Sequence, residues 1–257
     1  MTNPVTTNRA PSEALEYTYK TGVIKANNAF KTTLILAVLA GIYIAIGALV
    51  STKASVVIAP DIAPLVSAFM FTSGLTLVLI AGAELFTGNI LIVQAWLADA
   101  VSGRKIIKNW AIVYVGNLIG AILISFITHY MTDVDPNLAA SIYKSVENKV
   151  SLSFIDALGA GYMCNILVCL GVWLSYTARD GISKFVLSAI PVMVFIMMKY
   201  EHSVANMFYF SFALIDKSGV TFSQVLHNMI PVTIGNILGG ASVAACYYFA
   251  YYKFKKK

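Results

Sequence analysis

The sequence predicts an all-α membrane protein of six transmembrane helices, built as an inverted 3+3 repeat in which the second and fifth spans are broken. Three observations carry that expectation. The 257 residues are 58% hydrophobic and 12% charged, against roughly 25% charged in soluble domains, and mean hydropathy is +0.76. Stretches without Asp, Glu, Lys or Arg reach the length that a hydrocarbon core about 30 Å thick requires, about 20 residues per helix. A charged motif then recurs in the two halves of the chain.

Residues 1–31 are polar and have no apolar core of the signal-peptide type, so they are expected to form a cytoplasmic amino-terminal segment. Thr32 to Thr52 is the first span. Ile62 to Ala98 is too long for one straight span and carries Glu84 near its middle. Asn109 to Thr132 and Asp156 to Ala178 read as single helices, the latter opening on its one acid. Phe185 to Ile215 is again long and is interrupted by Lys199 and Glu201. The sixth span, Phe222 to Tyr252, precedes a basic tail over 253–257. A channel domain over 32–252 thus divides into repeats over 32–132 and 156–252.

Each long stretch could instead be a hairpin, which would give eight spans. Basic residues favour the cytoplasmic side, and their placement decides for six. With six spans and both termini inside, Arg9, Lys20, Lys25, Lys31, Arg104, Lys105, Lys108, Arg179, Lys184 and the four tail lysines share one side. Only Lys53, Lys144, Lys149 and Lys217 lie on the other, with Lys199 in the membrane. Eight spans would spread these bases almost evenly. The net charge of +6 is therefore explained by membrane orientation, and no nucleic-acid partner is expected. Cys164, Cys169 and Cys246 lie inside apolar stretches without histidines at ligand spacing, so they read as packing residues, and no metal or cofactor is expected.

The repeat is visible residue by residue. Glu84-Leu85-Phe86-Thr87-Gly88-Asn89 and Glu201-His202-Ser203-Val204-Ala205-Asn206 share Glu, three residues, a small residue and Asn, at an offset of 117. Two residues of slip later, Asn109, Gly116-Asn117 and Gly120 match Asn228, Gly235-Asn236 and Gly239. Three spans per half is an odd number, so the second half enters from the opposite face and the breaks meet near the midplane. A break frees backbone N–H and C=O groups that must be satisfied inside protein or a wet cavity. Glu84 and Glu201 are expected to cap those groups, with Asn89 and Asn206 supporting them, and the Gly-Asn pairs to let helices pack closely while Asn bonds across them.

Ala83 to Asn89, Glu201 to Met207 and Gly161-Tyr162-Met163-Cys164-Asn165 resemble the signature segments of the formate/nitrite transporter family. The resemblance covers nearly the whole chain. It implies an aquaporin-like protomer, a homopentamer with one pore per protomer in the inner membrane of a prokaryote, and passage of formate, nitrite or hydrosulfide. It further implies apolar constrictions at Leu75, Leu85 and Phe195, a polar centre of His202 and Thr87, and Lys149 and Asn165 approaching the pore from the outer half. Aquaporins match less well, since neither break carries Asn-Pro-Ala, and ammonium channels less well, since no second histidine accompanies His202. Lys199 is not part of the signature; it is expected to snorkel or to pair with Glu201 or another acid.

A mechanism follows from these residue types. A charge in the bilayer centre costs several kcal/mol or more, so an anion gathered near Lys149 is expected to become neutral at Leu85 and Phe195, where desolvation raises its pKa. His202, with an ordinary pKa of about 6.5, is the expected proton partner, and Thr87 a donor to it or to substrate. The basic segment Tyr17 to Lys31 is a candidate pH-responsive gate. A channel, a proton-coupled carrier of the same anions and an aquaporin-like pore for neutral solutes all remain open, with hydrosulfide attractive as a weakly hydrated anion. Three scattered histidines do not make a metal enzyme, and two polar breaks at matched depth are a costly feature for a scaffold.

Overall fold

A computed structural model describes residues 8–252. The chain opens with α1 (Pro11–Asn27), started by proline and by Glu13, which accepts the Ala10 N–H at 3.1 Å. Then follow α2 (Phe30–Val57), α3 (Ala63–Ala81), the single turn α4 (Phe86–Asn89), a 3₁₀ turn over Ile90–Ile92, and α5 (Val93–Leu97). After α6 (Gly103–Met131) comes α7 (Pro136–Val150), whose cap Asp135 accepts the Asn137 N–H. The Lys53 ammonium donates to the same carboxyl at 2.8 Å and, with Asn137, holds it below the usual carboxylate range. The remaining helices are α8 (Phe154–Thr177), α9 (Gly181–Met197), α10 (Ser203–Ile215) and α11 (Phe222–Tyr251).

Among the described residues five helices, α2, α3, α6, α8 and α11, are long and apolar enough to cross a membrane. The sequence reading expected six spans. The fifth expected span is divided between α9 and α10, each too short alone. It also starts earlier than its charge-free stretch, because Asp180 caps α9 by accepting the Ser183 N–H. The stretch from Ile62 to Ala98 is divided as well, though there α3 reaches spanning length by itself. Outward faces are apolar: Val115, Ile119, Ile122 and Phe126 of α6 are all exposed, as a lipid or subunit contact requires.

Helix α2 lies between α3 and α6, α8 lies between α9 and α11, α3 meets α9, and α10 packs on α6. Two of these contacts bring backbones together at glycine. A Cβ on Gly120 would overlap Val38 O and Ile42 N of α2, and one on Gly239 would overlap Tyr162 O and crowd Ile166 N of α8. Small residues at such crossings are what bilayer helices use in place of a hydrophobic drive. We expect Gly120→Val and Gly239→Val each to destabilise the fold by about 3 kcal/mol or more, since the obstacle is backbone and cannot swing aside. Yield of monodisperse protein in detergent reads this out, and a wild-type elution profile would refute it.

Candidate functional site

Two helix interruptions face the middle of the bundle, and each is satisfied in the same way. At the first, Gly82 ends α3 in the left-handed region (φ 80°), and Ala83 N–H returns to Val78 O at 2.9 Å. Glu84 N–H donates to Leu36 O, and Phe86 N–H, at the start of α4, donates to Asn117 Oδ1 at 2.9 Å. Asn117 Nδ2 donates to Ala37 O and Glu84 O. At the second, Lys199 occupies the left-handed position (φ 55°), and Tyr200 N–H returns to Phe195 O at 3.0 Å. Glu201 N–H donates to Ala160 O, Ser203 N–H donates to Asn236 Oδ1 at 2.9 Å, and Asn236 Nδ2 donates to Gly161 O and Glu201 O.

The asparagines of the Gly-Asn pairs, and not the glutamates, therefore hold the freed backbone. The expected capping role of Glu84 and Glu201 is corrected here, for a physical reason: a neutral amide offers donor and acceptor together, which a carboxylate does not. The carboxylates hold lysines. Lys149 Nζ of α7 donates to Glu201 Oε1 at 2.9 Å, while Asn206 Nδ2 donates to Glu201 Oε2 at 2.6 Å and to Asn228 Oδ1 at 2.9 Å. Asn228 Nδ2 returns to Lys149 O. At the other break Lys25 Nζ of α1 lies 3.2 Å from Glu84 Oε2 and donates to Asn89 Oδ1 at 2.9 Å. Asn89 Nδ2 reaches Glu84 and Asn109, and Asn109 Nδ2 returns to Lys25 O.

Lys25 is the residue that sequence reasoning missed. A signal was present: Tyr19-Lys20, four residues, then Lys25 repeats as Tyr143-Lys144, four residues, then Lys149. Lys149 itself is neither a solvated loop lysine nor a free ammonium, since its side chain is 14% exposed and bound to Glu201.

Two cavities approach the breaks from opposite ends. The smaller, about 290 Å³, is lined by Tyr17, Lys25, Leu75, Val78, Glu84, Leu85 and Tyr176 among others. The larger, about 550 Å³, is lined by Ser51, Thr52, Phe71, Lys144, Lys149, Phe195, Lys199, Glu201, His202 and Tyr209 among others. Between them the chain is closely packed. Leu75, Leu85, Phe195 and His202 are each no more than 3% exposed and Thr87 is fully buried. Phe195 packs edge-on against Phe71 and stacks on the His202 ring at 5.9 Å.

Thr87 lies in the first turn of α4, and its Oγ1 is 2.8 Å from His202 Nε2. His202 is the N-cap of α10, its Nδ1 accepting the Ala205 N–H at 3.1 Å. An accepting Nδ1 assigns the proton of the neutral ring to Nε2. His202 thus donates to Thr87, and of the two expected acceptors for the Thr87 hydrogen, His202 and substrate, this leaves substrate. Asn165 is fully buried and braces this turn, donating Nδ2 to Thr87 O at 3.2 Å and to Asn236 O at 2.6 Å. Its Oδ1 has no partner among the described residues. Leu75, Leu85 and Phe195, with Thr87, His202 and Asn165, are therefore brought together. Lys149 stands on the wall of the larger cavity, outside that knot.

The Formate/nitrite transporter family model matches residues 12–250. "Formate channel FocA" of Escherichia coli (strain K12) is 31% identical over 268 residues, covering 94% of this chain and 94% of that protein. Among solved structures, an "FNT family ion channel" superposes with a TM-score of 0.84 at 26% identity, over 93% of this chain and 98% of that one. A "Pentameric formate channel with formate bound" superposes with a TM-score of 0.78 at 32% identity, over 87% of this chain and 98% of that one.

Proposed function

The chain belongs to the formate/nitrite transporter family, and from that premise we propose that it conducts small monovalent anions of weak acids, formate first, between its two cavities. It is a multi-pass membrane transport protein, not an enzyme. The proposal extends to a homopentamer with one pore in each protomer, to an inverted 3+3 repeat whose second and fifth spans are broken, and to both termini on the cytoplasmic side. The matching partner sets at Glu84 and Glu201 support the repeat. The formate channels among its relatives support formate and the pentamer.

One observation carries the pore reading: a single polar pair, Thr87 and His202, spans an otherwise apolar constriction that separates two cavities. An anion leaving the larger cavity loses its water at Phe195. Desolvation raises the pKa of its conjugate acid, so it takes a proton from cavity water and crosses as the neutral acid. The Thr87 hydroxyl, its oxygen held by His202 Nε2–H, turns its hydrogen to the carbonyl oxygen of the passing acid. His202 can itself take up a proton only at Nδ1, which requires the Ala205 N–H to be displaced.

Uptake of radiolabelled formate into proteoliposomes of purified protein tests the proposal, with nitrite, hydrosulfide and benzoate run alongside. We expect formate uptake well above that of protein-free vesicles and exclusion of benzoate, whose ring cannot pass Leu85 and Phe195. Formate uptake equal to that of empty vesicles would sink the reading.

A further inference from the structure

The two cavities are not equivalent in charge. In the smaller, the only charged lining residues among the described residues are Lys25 and Glu84, which pair with each other. In the larger, Lys149 and Glu201 pair likewise, but Lys144 and Lys199 are added. Among the described residues neither Lys144 nor Lys199 has an ion-pair partner or a side-chain hydrogen bond. The exposed acids Glu147 and Asp61 are nearby in sequence but do not line the cavity.

Lys199 also stands where the backbone does not favour it. It closes α9 at φ 55°, with Tyr200 N–H returning to Phe195 O, as Gly82 closes α3 at φ 80° with Ala83 N–H returning to Val78 O. Glycine takes this C-terminal position freely, whereas other L residues are held there at a cost of about 1 kcal/mol or more. The chain thus keeps an exposed, unpaired ammonium at the strained position of one break and a glycine at the other. Asp99 and Lys217 also take positive φ, but of the three only Lys199 lines a cavity at a break.

We infer that Lys144 and Lys199 form an anion-collecting mouth on the larger cavity, so that anions enter faster from that face than from the other. The inference rests on the transport reading above and deepens it. Lys149 cannot collect anions alone, because Glu201 neutralises it. Two uncompensated charges at a cleft raise the local anion concentration and fall off with salt. In water a unit charge about 7 Å from an anion multiplies its local concentration about threefold, and two act together for about tenfold.

The test uses right-side-out and inside-out membrane vesicles and initial uptake of radiolabelled formate at low ionic strength. In Lys144→Gln/Lys199→Gly, uptake should fall about tenfold in the orientation that loads through the larger cavity, and change less than about twofold in the other. The loss should vanish near 1 M salt, where screening acts within about 3 Å. Lys199→Gly also supplies the residue the backbone prefers, so its melting temperature should hold or rise while uptake falls, and Lys199→Arg should retain uptake. Equal uptake by wild type and double variant in both orientations, or a loss that persists at 1 M salt, would overturn the inference. Absence of formate uptake by the wild type in either orientation would instead remove the transport reading itself, and this inference with it.

Discussion

Lys149→Met is expected to lower the stability of the folded protein by about 3–5 kcal/mol, because it strands a buried carboxylate. Glu201 is 4% exposed, and its charge is met by Lys149 Nζ at 2.9 Å, with Asn206 and Asn228 adding neutral donors. Methionine matches the lysine stem in length and apolar packing, so the loss is electrostatic and not steric. For a chain of this size each kcal/mol moves the melting temperature by about 2–4 °C, which puts the expected fall near 10 °C. The double variant Lys149→Met/Glu201→Gln should recover most of it, since a glutamine at 201 needs no cation and still accepts from Asn206. Scanning fluorimetry of the purified protein measures both. A single variant melting within about 2 °C of wild type would show that the loss of Lys149 strands no charge. The double variant also separates structure from transport: if formate uptake returns with stability, the Lys149 charge serves the fold.

How far the sequence foretold this arrangement depends on the range of the interaction. The places where α3 and α9 end were legible because they are local: Glu84 and Glu201 interrupt apolar stretches, and their motifs recur at a fixed offset. The close crossings were legible for the same reason, since Gly116-Asn117-x-x-Gly120 and Gly235-Asn236-x-x-Gly239 declare a small helix face. What each polar group would bond was not. Asn117 is 31 residues from Phe86, and Lys25 is 59 from Glu84. Either carboxylate could as well have capped its own helix. Leu75, Leu85 and Phe195 look like any apolar residue in a span, and only the family resemblance marked them. The Thr87 to His202 bond joins positions 115 apart, and its direction turns on a third group, the Ala205 N–H, that no pattern reveals. Lys199 was visible as a base within an apolar stretch, but that Glu201 pairs with Lys149 and not with it needed the fold.

His202 should separate into two functions when substituted, one for the helix and one for the pore. Its Nδ1 caps α10 and its Nε2–H holds Thr87. Asparagine is among the best N-caps, so His202→Asn can keep the Ala205 bond through Oδ1, but its side chain is too short to reach Thr87 as well. We expect that variant to melt within a few degrees of wild type while formate flux falls about 10- to 100-fold. That factor corresponds to about 1–3 kcal/mol for a buried hydroxyl left unheld when the anion crosses. His202→Leu removes both bonds and leaves Thr87 as the one member of the polar pair; flux should be lower still, and loss of the cap should cost a further ~1 kcal/mol of stability. Flux measured from pH 5 to 8 then distinguishes a pore role from a purely structural one. If His202→Asn retains wild-type flux and its pH profile, the bond to Thr87 is dispensable, and the histidine serves only to start α10. If flux is lost while stability holds, the polar pair at the constriction is what carries the substrate across.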